Sequence, residues 1–265
     1  MNTIILIPAR YQSSRYPGKP LVPLTGVSGI AKPLIQRSVE AARRVRGVSG
    51  VFVTTDDERI ADACSAFGVG VAMTSTSCRN GTERCAEALA SLHRPDLVIN
   101  FQGDALLTPP SFVETLIERM QSDAEALVAT PAMRLRSRDV RALQEEEAAG
   151  RVGGTTVVSD ARGHALYFSK RLIPYLPGKA LEGEMSPVCL HVGVYAYRPE
   201  ALEQYVSTPP SDLEMLEGLE QLRFLAAGMP VAVCDVETPA FALRELNNPE
   251  DVQPIEQALH EAGIE

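Results

Sequence analysis

The chain has 265 residues, 22% of them charged and 45% hydrophobic, which is ordinary globular composition and enough for one full core. Lys plus Arg number 25 against 34 Asp plus Glu, and the net charge of −9 argues against sequence-independent nucleic-acid binding as the main task. Any anion site must therefore gather its cations locally. Cys64, Cys78, Cys85, Cys189 and Cys234 contain no C-x-x-C pair, and the four histidines have no ligand-like spacing to them. Reduced thiols in a cytoplasmic protein are expected, without a structural zinc. Neither a signal segment nor an apolar run long enough to span a bilayer is present, so no membrane partner is expected.

Residues 4–7, IILI, make a short buried strand that Pro8 is expected to end. The following loop supplies Arg10, Gln12, Ser13, Ser14, Arg15 and Lys19, with Pro17 and Gly18 forcing a turn. Backbone N–H groups, hydroxyls and three cations in so few residues suit a polyphosphate, although a solvated surface loop has the same composition. Neither G-x-x-x-x-G-K-[ST] nor a strand-borne G-x-G-x-x-G occurs, so the cradle would be of another kind.

Leu34, Ile35, Val39, Ala42 and Val45 recur at helical spacing, and residues 51–53 read as a strand leading to a helix capped around Asp56 and Asp57. A third strand over 69–73 precedes a polar loop, STSCRNGTER, in which Asn80, Gly81 and Thr82 provide a turn and an N-cap. Residues 96–101 form the next strand, with Gln102, Gly103 and Asp104 at its carboxyl end. Beyond it come a helix from Pro109, a strand over 126–130 and a charged helix over 138–149.

The pattern then changes. Residues 153–169 read as a hairpin about 160–163, 188–197 as one strand with His191, Gly193 and Tyr195 on one face, and 213–227 as one helix. A strand over 231–236 and a helix over 249–262 close the chain. Strand alternating with helix predicts an α/β fold, a doubly wound and mostly parallel sheet of nucleotidyltransferase, Rossmann-like type. A single domain over 1–265 is expected, with 153–212 as a smaller β-rich subregion. Ligands in such sheets sit at the carboxyl ends of the strands, where the polar loops lie.

The ordered motifs IPARYQSSRYPGKPL, VTTDDERI, NGTER, NFQGD, ALYFSK, HVGVYAYR and LEGLEQLRFL strongly resemble the 3-deoxy-manno-octulosonate cytidylyltransferases, the CMP-sugar-acid synthetases. The resemblance runs from residue 4 to about 255. It implies a homodimer that transfers CMP from CTP to a small anionic acceptor, with Mg²⁺ as cofactor and release of pyrophosphate. It also implies that Arg10, Arg15 and Lys19 hold the triphosphate and that Ala9, Ser13, Gly81, Thr82, Arg84 and Gln102 complete the nucleotide side. Lys19, Arg10 and Asp104 would be catalytic, with Asp104 and position 247 as metal ligands. Lys170, His191, Tyr195, Glu220 and Gln221 fall where the family binds its sugar acid.

Three departures stand out. The family usually reads Q-G-D-E-P where this chain has Ala105 and Leu106, more often carries Arg at Lys170, and has Asp where Asn247 stands. These leave room for a phosphonate acceptor in place of the sugar acid, or for a nucleotide-binding regulator without turnover.

Overall fold

The four residues Ile4, Ile5, Leu6 and Ile7 are buried at the centre of β1 (Thr3–Ala9), in a computed structural model that describes residues 1–13 and 15–265. Ser14 of the first loop lies outside the described residues. A run buried on both faces is what a strand needs when helices cover both sides of its sheet. After the first loop, β2 (Pro23–Thr25) and β3 (Ala31–Pro33) pair as a small hairpin apart from the main sheet. Next come α1 (Leu34–Arg43), β4 (Gly50–Thr55), α2 (Glu58–Ala66), β5 (Gly70–Met73), α3 (Gly81–Ala88), β6 (Leu97–Phe101) and α4 (Pro110–Ser122).

Strand β1 runs on through Pro8. Its ladder with β6 stops at Leu6 opposite Asn100, so the donor that Pro8 lacks is not needed on that side, while Ala9 still pairs with Thr55. The same logic lengthens β7 (Val128–Arg136) beyond the expected 126–130. Pro131 lies where β7 exchanges one antiparallel neighbour for another, and its carbonyl accepts the Val192 N–H at 3.1 Å.

Beyond α5 (Ser137–Ala148), β8 (Thr156–Ser159) and β9 (Ala165–Ser169) form the expected hairpin. Its turn is held by the Asp160 carboxylate, which accepts the N–H groups of Arg162 and His164 at 2.8 and 2.9 Å. The single strand expected over 188–197 is two, β10 (Met185–His191) and β11 (Val194–Tyr197). β10 pairs with β7 and β8, whereas β11 inserts between β6 and β7, and the step at Val192 and Gly193 makes the change of neighbours possible.

After α6 (Pro199–Ser207) the helix expected over 213–227 is likewise two, α7 (Asp212–Glu217) and α8 (Leu222–Ala226). Gly218 adopts φ +60°, a left-handed cap that ends α7 and leaves Glu220 in the break between the helices. β12 (Val231–Val236) and α9 (Val252–Glu261) complete the chain, α9 being preceded by an Asn248–Asp251 capping box.

The strands make one ten-stranded sheet in the order β5-β4-β1-β6-β11-β7-β10-β8-β9, with β12 beside β7. From β5 to β6 the pairing is parallel; the later strands run antiparallel to their neighbours except for β12, which is parallel to β7. Ile5, Ile7, Val39, Ile99 and Leu116 pack on one face, Leu6, Val98, Tyr197, Leu202 and Phe224 on the other. The fold is thus the doubly wound α/β arrangement expected. Strands β8 to β10 extend the same sheet. No described helix is long and apolar enough to cross a membrane.

Candidate active site

At the carboxyl end of β1 the chain turns back on itself. The Gly18 N–H donates to the Tyr11 carbonyl at 2.8 Å, and at φ +75° a side chain would be strained and would stand 3.1 Å from the Tyr11 ring. The turn aims Arg10, Arg15 and Lys19 into a polar recess of about 210 Å³, lined on the same side by Ala9 and Ser13. Gly81, Arg84, Gln102 and Asp104 form the opposite wall. Arg10 makes no ion pair with a described residue. In a chain of net charge −9, this recess concentrates cations where a polyanion would enter.

The opposing wall depends on Gly103. A Cβ there would lie 2.7 Å from the Pro8 carbonyl oxygen, so only glycine lets the end of β6 touch the end of β1. Ser38 of α1 donates to the Gly103 carbonyl at 2.8 Å and holds the turn from behind. Asp104 is thereby set against Lys19, whose ammonium donates to Asp104 Oδ2 at 2.5 Å and to the Leu246 carbonyl at 2.9 Å.

The amino end of α3 supplies the next part. Asn80 caps it, accepting the Glu83 N–H at 2.8 Å, and Gly81 leaves space that Gln102 fills, since a Cβ at Gly81 would lie 3.0 Å from Gln102 Nε2. Glu220 accepts the Thr82 N–H at 3.0 Å and the Gln102 amide at 3.3 Å, tying the α7–α8 break to this helix. Burial raises the Glu220 carboxyl above its ordinary range. Thr82 itself does not reach the recess: it is buried, with its hydroxyl 3.0 Å from that of Tyr197. Arg84 lines the wall with its guanidinium engaged by Thr74 at 2.5 Å and Asp56 at 3.2 Å.

The recess opens into a basin of about 760 Å³, and Arg10, Gln102 and Asp104 line both. Lys170, His191, Tyr195, Glu220 and Gln221 all line the basin. The step between β10 and β11 presents His191 and Tyr195 there, their rings 5.4 Å apart. Burial pushes the His191 imidazole down to about 3, so it is neutral, and Gln221 Nε2 is buried without a partner among the described residues.

One side of the basin is made by the segment after β12. Asn247 Oδ1 accepts from Arg15 Nη2 at 2.7 Å, and the Asn247 N–H donates to Asp251 Oδ2 at 2.9 Å. The charge of Asp104, followed by burial, raises the Glu245 carboxyl above its usual range.

The cytidylyltransferase family profile matches residues 4–231. The 3-deoxy-manno-octulosonate cytidylyltransferase of Maricaulis maris is 38% identical over 264 residues, covering 99% of each chain. The chain belongs to the cytidylyltransferase family. The 8-amino-3,8-dideoxy-manno-octulosonate cytidylyltransferase of Shewanella piezotolerans is also 38% identical, over 98% of this chain and 99% of its own. A solved structure of CMP:2-keto-3-deoxy-manno-octonic acid synthetase complexed with CTP superposes with a TM-score of 0.82 at 35% identity, over 97% of this chain and 98% of that one.

Two cleft residues of this family member escaped the sequence reading. Arg79 lines both recess and basin, paired with Glu83 at 2.6 Å, and Glu245 lies in a segment without periodicity. The donors present fit a hard divalent cation. Asp104 and Glu245 offer carboxylate oxygen at one cleft, and the Lys19 ammonium already occupies a cation's place between Asp104 and the Leu246 carbonyl. No group of three or more His, Cys, Asp or Glu could hold a metal among the described residues, so a cation here would need phosphate oxygens as well.

Proposed function

We propose that the chain transfers CMP from CTP to a 3-deoxy-octulosonate-type sugar acid and releases pyrophosphate, with Mg²⁺ as cofactor. The observation that carries this reading is the cation-lined recess opening into a basin through a shared wall of Arg10, Gln102 and Asp104. Arg10, Arg15 and Lys19 bind the triphosphate, and Lys19 and Arg10 stabilise the charge that grows on the departing pyrophosphate. Glu220, by holding the Gln102 amide from behind, fixes how that side chain faces the cleft. In the basin, the Lys170 ammonium meets the acceptor carboxylate, while neutral His191, Tyr195 and the unpartnered amide of Gln221 orient its hydroxyls. Mg²⁺, held by Asp104, would polarise the α-phosphate.

Cytoplasmic location and a homodimer belong to the same reading. All five cysteines are free, and exposed apolar side chains on α7 and between β9 and β10 offer a face for a second copy.

Pyrophosphate release tests the proposal, measured with CTP, UTP, ATP and GTP against 3-deoxy-octulosonate, its 8-amino analogue and a small phosphonate. CTP with a sugar acid is expected to be the productive pair. Equal turnover with ATP would sink the nucleotide assignment, turnover only with the phosphonate would replace the acceptor, and CTP binding without release under every acceptor would leave a regulator.

A further inference from the structure

The residues facing the acceptor come from two places far apart in the chain. Lys170 is the first residue after β9, Glu220 and Gln221 stand in the break between α7 and α8, and all three line the basin. Glu217, the last residue of α7, is not among the lining residues, yet its carboxylate joins the two places. Its Oε1 accepts from Ser169 Oγ at 2.7 Å and from the Tyr167 hydroxyl at 3.3 Å, and its Oε2 accepts the Lys170 N–H at 2.9 Å. An ionised carboxylate can only accept, so all three partners donate.

The backbone around Lys170 is closed from the other side as well. Ser169 Oγ, its hydrogen committed to Glu217, accepts the Arg171 N–H at 3.0 Å, and the Arg171 carbonyl accepts from Thr156 Oγ1 at 2.7 Å. Ser169 is buried and Glu217 half-buried, which shields these bonds from competing water. The Lys170 side chain leaves this clamp without an ion pair among the described residues and runs back along the same junction. A Cβ at Gly218 would stand 2.9 Å from Lys170 Nζ, so the ammonium takes the space that a side chain at 218 would need. Both ends of Lys170 are therefore referred to one point, the Glu217 and Gly218 terminus of α7, from which Glu220 and Gln221 follow.

We propose that Glu217 is a positioning residue for the acceptor: it sets the Lys170 ammonium in register with Glu220 and Gln221, so that the carboxylate and the hydroxyls of one sugar acid are met together. Fixed relative geometry is worth more than the bonds that hold it, since a displacement of about 1 Å can cost roughly a hundredfold in rate. A plain charge effect runs the other way. Glu217 is negative beside the place where an anion binds, so electrostatics alone would make its removal improve acceptor binding. This inference rests on the CTP and sugar-acid reading above, and the test separates the two.

Steady-state kinetics with CTP and 3-deoxy-octulosonate are measured for the full-length wild type, Glu217→Ala and Glu217→Gln. Alanine deletes the clamp. Glutamine loses the charge but keeps a carbonyl oxygen for the Lys170 N–H, and its amide can donate to the Ser169 and Tyr167 hydroxyls, which accept as well as donate. Glu217→Ala should raise KM for the acceptor at least about tenfold with KM for CTP within about twofold, and Glu217→Gln should bring the acceptor KM back to within about threefold of wild type. An unchanged or lower acceptor KM in Glu217→Ala, an equal rise in both KM values, or equal rises in Glu217→Ala and Glu217→Gln overturns the assignment. Should Glu217→Ala not fold, Ser169→Ala decides: it deletes the 2.7 Å bond and leaves the charge, a rise of about threefold or more in acceptor KM is expected, and a wild-type value overturns the proposal. Absence of wild-type turnover with CTP and 3-deoxy-octulosonate would overturn the functional reading, and the acceptor that Glu217 serves with it.

Discussion

Burial holds the His191 imidazole neutral, down to about 3, and its one polar contact shows which nitrogen carries the proton. Thr130 Oγ1 lies 2.8 Å from the Val194 carbonyl, its shortest contact, and donation of its single hydrogen there leaves it to accept from His191 Nε2 at 2.9 Å, the tautomer we assign. Nδ1 is then the unprotonated atom, an acceptor for a hydroxyl rather than an acid. The sign of the pH effect follows. An unfolded histidine takes up a proton near pH 6.5 that the folded one refuses, so this contribution to stability is complete above that pH and drains as pH falls toward the folded value. Comparing denaturant midpoints at pH 7.5 and 5.0, the wild type should lose up to about 2 kcal/mol more than His191→Gln. An equal loss in both would mean that the imidazole titrates freely. That Arg10, Lys19 and Asp104 would line a common cleft was legible because polar groups follow directly on buried strands, where sheets of this class bind ligands, while their roles came from the family resemblance. Glu245 was not, because it lines the basin from an irregular segment after β12 and no local pattern records that.

Two strand ends have to touch for the site to exist, and the contact is between backbones. An added methyl at Gly103 would sit 2.7 Å from the Pro8 carbonyl oxygen, a backbone atom held by the pairing of Pro8 and Ala9 with β4 and not free to swing aside as a side chain is. Gly103→Ala should therefore separate the β1 and β6 ends and carry Asp104 away from Lys19. A displacement of about 1 Å at a reacting group can cost roughly a hundredfold in rate, which is the expected loss in kcat/KM. Gly178→Ala, with nothing within 4 Å, is the matched control and should be silent. Wild-type kinetics in Gly103→Ala would show that the turn adapts. The parallel strands around this contact were readable because their apolar runs are short, continuous and bounded by turns. The division of 188–197 into β10 and β11, and of 213–227 into α7 and α8, was not. Both stretches keep one periodicity, and the breaks arise from a change of strand neighbours and from a left-handed glycine.

At the scale of the whole molecule, apolar side chains lie exposed beside the acceptor basin. Leu213, Met215 and Leu216 of α7 are exposed, Leu216 to 82%, as are Leu166 on β9 and Tyr175 beyond it, at 89%. Helix α7 is tied to the end of β9, because Glu217 accepts from Tyr167, Ser169 and the Lys170 N–H. Exposed apolar side chains on α7 and β9 suit the second copy proposed above, and β9 is an edge strand that would otherwise offer unpaired backbone to any passing chain. The same junction borders the basin, since the Lys170 ammonium lies against Gly218 and both line it. Covering the face with a second copy would steady the acceptor side of the site while leaving the triphosphate recess untouched. On the proposed homodimer, the wild type should scatter light as a dimer and Leu216→Asp as a monomer, and in the monomer KM for the acceptor should rise at least about tenfold more than KM for CTP, on the premise that lost positioning weakens only the contacts it served. A variant that stays dimeric would mean that this face is not the interface, and an equal rise in both KM values would mean that assembly supports the whole fold rather than the acceptor side.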